Sequence, residues 1–286
     1  MPNVITEIRQ ALLPLYGKLE ANALTRIICQ EMLGQSPVDY FLGKDIALSA
    51  NQKIFLQSIL ERLCAYEPIQ YIQQEAPFCG RRFYVTPDVL IPRPETAELV
   101  QLLTERLPAN ASILDIGTGS GCISISLSLA LPAARVYACD ISEEALSVAK
   151  INNERLHGSV SFFQTDILSY QLLPEDKGFY DAIVSNPPYI TDREADDMSP
   201  NVLRYEPHKA LFVPNEDPLL FYRKIGQLGL TMLKESGTLA FEINRAFGHE
   251  VRALLENLGY QDVKVIKDIS HNDRFVFAKL GISHND

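Results

Sequence analysis

The sequence has 286 residues, of which 47% are hydrophobic and 22% charged, and its formal net charge at pH 7 is −10. This length suffices for one large domain and a smaller one, and the composition is ordinary for a globular protein. No run of about 18 apolar residues is present, which argues against a transmembrane helix. The acidic total disfavours a protein that grips a nucleic-acid backbone.

The cysteines and the first residues bear on metal binding and on location. The five cysteines are odd in number and none forms a Cys-x-x-Cys pair, which disfavours a zinc site and a disulfide framework. Residues 1–17 lack a basic region followed by an apolar stretch, so no signal peptide is expected. We therefore expect a cytoplasmic protein with no metal ligands and no membrane partner.

Residues 1–72 are predicted to form a small helical domain, because apolar residues recur in it at helical spacing. Pro14 is expected to end or kink the first helix. Ser49 and Gln52 have the spacing of a capping box for a later helix, which should stop near Glu67–Pro68. No cluster of titratable side chains appears here, so this domain is predicted to make contacts rather than to carry chemistry.

Residues 73–92 are predicted to form a β-hairpin that links two domains, with a turn at Cys79–Arg82. The overlapping stretch Ile91–Thr96 contains two prolines, which make it rigid and extended. Because this stretch directly precedes the large domain, we expect Arg93 and Thr96 to reach the ligand site of that domain, either at one end of a cofactor or at the substrate entrance.

Residues 93–286 are predicted to form a Rossmann-like α/β domain, because strand and helix patterns alternate from residue 112 onward. The short turn Ile269–Asp273 forces the last two strands to be antiparallel, since a parallel crossover needs a dozen residues or more. A mostly parallel seven-stranded sheet with one antiparallel strand results. The strand candidates are Ile113–Asp115, Val136–Asp140, Val160–Gln164, Tyr180–Ser185, Thr238–Ile243, Val263–Lys267 and Phe275–Lys279.

A glycine-rich loop follows the first predicted strand of this sheet and opens a helix. Glycines let the backbone turn tightly and bring its N–H groups close to a ligand. The loop residues expected to contact a cofactor are Gly117, Thr118, Gly119, Ser120 and Gly121. Asp140 ends the second strand about twenty residues further on, where a carboxylate can bind a ribose diol.

The glycine spacing favours S-adenosylmethionine over a nicotinamide dinucleotide. A dinucleotide site prefers Gly-x-Gly-x-x-Gly with the pyrophosphate at the helix N-terminus, whereas this loop has Gly-x-Gly-x-Gly shortly after Asp115. Asp115 is expected to anchor the loop or to bind the methionine ammonium. Asp166 and Ile167 follow the third strand at the same sheet edge, and they are predicted to contact the adenine amino group and ring.

Asn186–Tyr189 follows the fourth predicted strand, also at the carboxyl edge of the sheet. Pro187 and Pro188 fix the backbone, so the Pro187 carbonyl and the Asn186 side-chain oxygen can act as two convergent acceptors for an NH2 group. Tyr189 offers a flat face on which a planar amide or base can stack. Such acceptors aim the nitrogen lone pair at a methyl donor, so catalysis is mainly positioning.

The four-residue motif by itself predicts only an acceptor with a planar NH2 group, which adenine, guanine and glutamine share. The acidic net charge favours a protein amide over DNA or RNA. A non-catalytic binding module is disfavoured because the sequence keeps both Asn186 and Tyr189, the side chains to which the motif assigns chemistry. Glu206, which follows the stretch Thr191–Ser199, is expected to belong to a substrate-gating loop.

These motifs resemble the amino-methyltransferases with an Asn-Pro-Pro-Tyr signature, and most closely the protein-glutamine methyltransferases that act on peptide-chain release factors. The resemblance runs from about residue 5 to 280. Besides the glycine loop and Asn186–Tyr189, it includes Pro68–Ile72, Phe78–Gly80, Val89–Thr96, Arg204–Pro207, Ala210–Leu211 and Phe241–Ile243. The sequence departs from the family pattern at Ala97, where glutamate is usual, and at Asn244, where glycine is usual.

The resemblance implies a class I methyltransferase fold with an N-terminal helical domain that docks the release factor. It also implies methyl transfer from S-adenosylmethionine to the glutamine side-chain nitrogen (N5) of the Gly-Gly-Gln motif of class I release factors, with that glutamine reaching Asn186. The alternative is an amino-methyltransferase that acts on adenine or guanine in DNA or RNA. No stable nucleic-acid binding is expected.

Overall fold

A computed structural model describes residues 3–281 of the chain, apart from the side chain of Asp197. Two compact units are present. The first takes its described residues from 3–75 and 199–205, and the second from 76–198 and 206–281. The domain boundaries expected from the sequence, 1–72, 73–92 and 93–286, stay a prediction. No helix among the described residues is long and apolar enough to cross a membrane.

The first unit is helical. Its elements are α1 (Val4–Ile27), a π-helical turn (Ile28–Met32), α2 (Pro37–Phe41), α3 (Ala50–Cys64), α4 (Ile69–Gln73) and α8 (Pro200–Tyr205). α1 is interrupted at Gly17, whose φ of 67° and ψ of 175° are not helical. Pro14 lies within the helix, so the expected break occurs three residues later than the proline. A residue without Cβ adopts this positive φ at little cost, which explains the position of the break.

The capping box predicted for α3 is confirmed. Ser49 Oγ accepts from the backbone N–H of Gln52 at 3.3 Å, and Gln52 Oε1 accepts from the backbone N–H of Ser49 at 3.0 Å. The helix ends at Cys64, slightly before the expected stop, and Tyr66 then adopts a left-handed φ of 68°. Fully buried apolar side chains from α1, the π-helical turn and α3 form the core of this unit; among them are Ile8, Leu12, Ile28, Ile59 and Leu63.

The second unit begins with β1 (Glu75–Phe78, whose first residue belongs to the first unit) and β2 (Arg81–Tyr84), which form the predicted two-stranded sheet. Its helices are α5 (Pro94–Arg106), α6 (Cys122–Ala130), α7 (Glu143–Arg155), α9 (His208–Leu211), α10 (Leu220–Met232) and α11 (Gly248–Asn257). Short 3-10 turns lie at Pro174–Asp176 and Asp192–Asp197.

The predicted seven-stranded sheet is confirmed. Its strands are β3 (Ser112–Ile116), β4 (Arg135–Asp140), β5 (Val160–Gln164), β6 (Tyr180–Ser185), β9 (Leu233–Glu242), β10 (Gln261–Lys267) and β11 (Asp273–Lys279). Their order is β10-β11-β9-β6-β3-β4-β5, and β11 is antiparallel to both of its neighbours while the other pairs are parallel. A separate short parallel pair joins β7 (Ile190–Thr191) to β8 (Phe212–Val213).

Helices cover both faces of the large sheet, and successive strand residues therefore enter different cores. In β6, Ala182 and Val184 belong to one apolar cluster, while Ile183 belongs to the other. This alternation follows from the two-residue period of a strand, and burial on both faces explains the continuous apolar character of β6. The sheet order brings the carboxyl ends of β4, β3, β6 and β9 together at one edge. In sheets of this kind, ligands bind at that edge.

Candidate active site

A cavity of about 510 Å³ opens at the carboxyl edge of the large sheet, and all the residues that line it belong to the second unit. Its volume lies within the range of about 300–1,000 Å³ that is typical of small-molecule and cofactor sites. Twelve of the residues predicted to form the site contribute to its wall: Arg93, Thr96, Gly117, Thr118, Gly119, Ser120, Asp140, Asp166, Ile167, Asn186, Pro187 and Pro188. The structure thus brings most of the predicted site together in one place.

Four predicted site residues lie outside the wall of the cavity: Asp115, Gly121, Tyr189 and Glu206. Each of them instead contacts or packs behind residues that do line it. The wall also contains residues that the sequence did not suggest, including Ile141, Leu168, Lys209, Phe212 and Phe221. The apolar members of this set come from segments that are distant in sequence, so only the folded chain assembles them.

The glycine loop turns sharply between β3 and α6. Gly117, Gly119 and Gly121 have φ values of 75°, 53° and 79°, which L-residues with a Cβ adopt only with strain. The backbone N–H groups of Gly117 and Thr118 both donate to the Cys139 carbonyl, at 2.9 and 3.0 Å. At Gly121 a Cβ would also lie 2.7 Å from the Ile125 side chain. Gly121 therefore permits close packing behind the loop rather than direct contact with the cavity.

Asp115 is fully buried behind this loop and holds it in place. Its Oδ2 accepts from Thr118 Oγ1 at 2.6 Å and from the backbone N–H of Ser124 at 3.2 Å. Burial raises the pKa of Asp115 to about 6, and the hydrogen bonds from Thr118 and Ser124 oppose this rise. Among the described residues, Asp115 Oδ1 has no hydrogen-bond partner. These contacts are those expected of a loop anchor, and the alternative that Asp115 binds the methionine ammonium stays a prediction.

Two further carboxylates stand at the ends of β4 and β5. Asp140 accepts from the backbone N–H of Gly119 through Oδ2 at 2.9 Å and from that of Ser142 through Oδ1 at 3.0 Å. Burial raises the pKa of Asp140, and these backbone hydrogen bonds oppose the rise. Asp166 Oδ1 accepts from the backbone N–H of Leu168 at 2.9 Å. Both carboxylates line the cavity and are held by backbone N–H groups, which fixes their directions.

Asn186–Tyr189 begins directly after β6 ends at Ser185. Asn186, Pro187 and Pro188 line the cavity, but the Tyr189 side chain packs against the apolar cluster that includes Tyr222 and Phe241. Burial raises the pKa of Tyr189 well above its usual range. The Tyr189 backbone N–H donates to the Leu211 carbonyl at 3.2 Å, which fastens the end of the motif. The Tyr189 ring is not among the described residues that line the cavity, and its predicted stacking on a planar substrate stays a prediction.

Asn244 stabilises the segment that follows this motif. Its Nδ2 donates to the Tyr189 carbonyl at 3.2 Å and to Glu194 Oε1 at 3.0 Å. Glu194 in turn accepts from the backbone N–H and the hydroxyl of Thr191, each at 2.9 Å. A glycine at position 244, which the family pattern would have, could make neither of the side-chain contacts. This departure from the pattern therefore ties the exit of the motif to the following 3-10 turn.

Glu206 is buried and pairs with Arg93. Arg93 Nη2 lies 2.8 and 2.9 Å from the two carboxylate oxygens, and the backbone N–H of Ile91 donates to Oε2 at 3.4 Å. Burial raises the pKa of Glu206, and Arg93 opposes the rise. Glu206 is outside the cavity wall while Arg93 is part of it, so the carboxylate fixes the position of a guanidinium group that lines the cavity. Whether this segment gates a substrate stays a prediction.

Glu242 is a buried carboxylate next to the site that the sequence did not single out for a role. It ends β9 at the same sheet edge, and its Oε2 accepts from Thr96 Oγ1 at 2.7 Å. Asn186 Nδ2 donates to the same Thr96 oxygen at 3.4 Å. The available signal was a carboxylate inside the apolar run at residues 239–243, because Glu is almost never fully buried without a partner.

Comparison with known proteins gives the family. The model of the methyltransferase small domain matches residues 96–206, and that of the PrmC N-terminal domain matches residues 5–73. A release factor glutamine methyltransferase of Bacteroides thetaiotaomicron is 51% identical over 278 residues, which cover 97% of this chain and 99% of that protein. A release factor glutamine methyltransferase of Flavobacterium psychrophilum is 42% identical, with 96% and 97% covered.

The solved structures bear on the fold. A methyltransferase of Pyrococcus furiosus matches with a TM-score of 0.53 at 18% identity, covering 82% of this chain and 100% of that one. This likeness shows that the sheet and its helices have the class I methyltransferase fold predicted from the sequence. The two family models, the near full-length relatives and the fold agree, and the chain belongs to the release factor glutamine methyltransferase family.

Proposed function

We propose that this enzyme transfers a methyl group from S-adenosylmethionine to the side-chain amide nitrogen (N5) of the glutamine in the Gly-Gly-Gln motif of class I release factors. Family membership supports the reaction. One observation at the site supports the same reaction: the glycine loop lines the same cavity as Asn186 and Pro187, which supply the two acceptors. A methyl donor and a planar NH2 acceptor can therefore meet there.

The residues of the cavity fit S-adenosylmethionine. The glycine-loop backbone is shaped by three positive φ angles for close approach to a ligand. The Asp140 carboxylate lines the cavity and would accept hydrogen bonds from a ribose diol. Asp166 would accept from the adenine amino group, and Ile167 would pack against the adenine ring. We place Arg93 and Thr96 toward the methionine end or the substrate entrance. Asp115, which lies behind the wall, would act by holding the loop.

Bound S-adenosylmethionine supplies an electrophilic methyl group, and the C–S bonding pair stays on sulfur as the new N–C bond forms. The protein's part is to prepare the amide nitrogen, whose lone pair is delocalised and poorly nucleophilic. Asn186 Oδ1 and the Pro187 carbonyl would each accept one N–H of the glutamine, which orients the lone pair toward the donor. The proton that leaves the product nitrogen passes to water, so no general base is needed.

Tyr189 has a supporting part in this proposal. Its ring packs in the apolar core, and its backbone is held by Leu211 and Asn244. It would therefore keep Pro187 and Pro188 in place rather than stack on the substrate in the conformation seen here. Residues 1–72 would supply the docking surface for the release factor, as the family resemblance implies. The cytoplasm is the expected location, and stable nucleic-acid binding is not expected.

A methyl-transfer assay with labelled S-adenosylmethionine tests the proposal. The purified protein should label a class I release factor at one glutamine, and peptide mass spectrometry should place the label in the Gly-Gly-Gln motif. A release factor with alanine at that glutamine is the matched control and should remain unlabelled. Equal labelling of both factors, or labelling of DNA or RNA instead, would overturn the proposal.

A further inference from the structure

The contacts of Thr96 determine which way its hydroxyl proton points. Glu242 is 1% exposed, and an ionised carboxylate can only accept, so Thr96 must donate to it across the 2.7 Å contact. The Thr96 oxygen then has only lone pairs left for Asn186. The Asn186 amide must therefore turn its NH2 group toward Thr96. The ionised carboxylate thus sets the direction of two successive hydrogen bonds.

This direction matters because an asparagine amide has two chemically opposite ends. With Nδ2 committed to Thr96, Oδ1 is the end left for the cavity, and Asn186 makes no other side-chain hydrogen bond among residues 3–281. The proposed reaction needs that oxygen as an acceptor for the substrate NH2 group. If the amide were flipped, Nδ2 would meet the substrate N–H groups donor to donor, which gives no hydrogen bond.

Glu242 has little else to do in the fold. Within the described part of the chain, its side chain has one hydrogen bond and no ion pair. The two nearby guanidinium groups are committed elsewhere, Arg274 to Asp268 and Arg93 to Glu206. A buried carboxylate with so few partners costs stability. Sites where such a cost is retained next to a cavity are candidates for a functional role.

We propose that Glu242 and Thr96 are positioning residues that fix the Asn186 amide with its oxygen toward the methyl acceptor. The proposal rests on the proposed function, because it assigns the acceptor an NH2 group. Neither residue is required to touch the glutamine. The ionised Glu242 fixes the direction of the hydrogen bond from Thr96, and Thr96 in turn fixes the direction of the hydrogen bond from Asn186.

Protonation of Glu242 would remove the constraint. A protonated carboxyl can donate to the Thr96 oxygen, and the Thr96 hydroxyl is then free to donate to Asn186 Oδ1. The Asn186 amide can therefore take the flipped orientation, with its oxygen toward Thr96. Burial raises the pKa of Glu242 to about 7, and the Thr96 hydrogen bond and the charge of Arg274 oppose the rise. The charged and titratable groups that face Glu242 are Arg93 and Glu95 at the start of α5, Cys122 at the start of α6, Tyr189 after β6, Tyr222 on α10 and Arg274 on β11. Activity should therefore fall as pH decreases through the titration of Glu242.

The first experiment is kinetic and uses Glu242→Gln, which keeps the size of the side chain but cannot ionise. A glutamine can offer Thr96 either its oxygen or its NH2 group, so the amide of Asn186 is no longer forced into one orientation. We expect kcat on the release factor to fall by about twofold if the two amide orientations become equally populated, and by more if the flipped one is preferred, while KM for the release factor and affinity for the cofactor stay unchanged. The acid limb of the wild-type pH profile should flatten. Unchanged kcat and an unchanged acid limb would overturn the proposal.

The second experiment does not depend on catalysis. In the free protein, the 13C signal of the Glu242 carboxyl and the side-chain 15N signal of Asn186 should titrate with the same midpoint. Thr96→Val should raise the pKa of Glu242, because it removes a hydrogen bond to the charged form, and should abolish the response of Asn186. Thr96→Ser should restore both. Thr104→Val is the matched control on α5, since the Thr104 hydroxyl donates only to the Val100 carbonyl.

These two experiments separate the positioning proposal from the proposed function. If wild-type protein fails to label the release factor glutamine, the proposed function fails, and the coupled titration still decides whether Glu242 sets the Asn186 amide. If wild-type protein is active but Asn186 does not respond to Glu242, the positioning proposal fails alone. Should Glu242→Gln not fold, as its melting temperature would show, the Thr96→Val and Thr96→Ser pair gives the same decision.

Discussion

The helical unit and the sheet unit of this chain differ in what they expose and what they bury. Of the six large apolar side chains that are more than 60% exposed between residues 3 and 281, five lie in the helical unit: Leu19, Val38, Phe41, Leu42 and Ile54. The sixth, Ile269, lies in the sheet unit. Conversely, the buried acidic side chains described lie in the sheet unit: Asp115, Asp176, Glu206, Glu242 and Asp268.

This difference indicates that the helical unit contacts other proteins and that the sheet unit carries the chemistry. Contiguous exposed apolar groups are typical of surfaces that contact other proteins, and three of these five side chains, Val38, Phe41 and Leu42, lie in or directly after α2. Carboxylates whose pKa is raised by burial, such as Asp115, Glu206 and Glu242, are typical of sites that carry chemistry. The helical unit buries one polar side chain among its described residues, Thr25, whose hydroxyl only donates to the Ala21 carbonyl of its own helix. Mutations in the two units should therefore change different kinetic parameters.

The largest effect is expected for Asn186→Ala in the sheet unit. The substitution removes one of the two acceptors that orient the substrate NH2 group, and loss of one preorganised hydrogen-bonding group of this kind costs about 10²–10³ in kcat. Cofactor binding by calorimetry should change much less, and the melting temperature should remain close to that of the wild type. A variant that keeps full methyl transfer would contradict the role given to Asn186.

Asp140→Asn should mainly weaken cofactor binding. The neutral amide retains one oxygen, which can serve the N–H of either Gly119 or Ser142 but not both, and it loses the charged acceptor for the ribose. Hydrogen bonds to charged groups contribute about 1.5–3 kcal/mol, so the dissociation constant for S-adenosylmethionine should rise by about tenfold or more. Glu143→Gln, at an exposed carboxylate in the first turn of α7, is the control and should bind normally. If the two variants bound S-adenosylmethionine with equal affinity, the cofactor-binding role given to Asp140 would be wrong.

Most strands of the sheet unit could be predicted to within one or two residues, because apolar residues cluster in each of them and a turn lies on either side. The exception is β9, which was predicted at Thr238–Ile243 and found at Leu233–Glu242, because its first half is mostly polar. The fourth was predicted and found at Tyr180–Ser185, and the glycine loop was predicted directly after β3. These features are local in sequence. Where a feature depends on contacts between distant segments, the sequence was less informative, since neither periodicity nor motif spacing reports which side chains meet.

Tyr189, Glu242 and α8 illustrate that limit. A tyrosine after two prolines can face a cavity or a core, and packing against residues such as Tyr222 decides between them. The link from Glu242 to Thr96 spans 146 positions of sequence. α8 groups with the helical unit, where the Tyr205 hydroxyl donates to the Ala65 carbonyl at 3.0 Å, although it follows the fourth strand of the sheet. None of these contacts has a local sequence signal.

In the helical unit, Phe41→Ser should affect recognition of the release factor and leave the chemical step intact. Phe41 is 89% exposed at the end of α2, so its loss should not disturb the core. We expect KM for the release factor to rise by several-fold, consistent with the ~1 kcal/mol that an ordinary interface side chain contributes, with kcat unchanged. Ile269→Ser replaces a similarly exposed residue of the sheet unit and should leave KM unaltered. Equal effects of both would show that exposure alone does not identify the docking surface.

The smallest effect is expected for Ser49→Ala, which tests stability in the helical unit without touching recognition or chemistry. Ser49 caps α3 by accepting from the Gln52 N–H, and loss of such a cap costs about 1 kcal/mol. Hydrogen exchange of α3 amides should therefore become about five times faster, while the affinity for cofactor stays the same because the described residues that line the cavity all belong to the other unit. Ser58→Ala, on an exposed position within α3, removes the same hydroxyl where it caps nothing and should leave exchange equal or slower. If Ser49→Ala also weakened cofactor binding, the two units would be energetically coupled, and the division of work inferred from their burial would have to be given up.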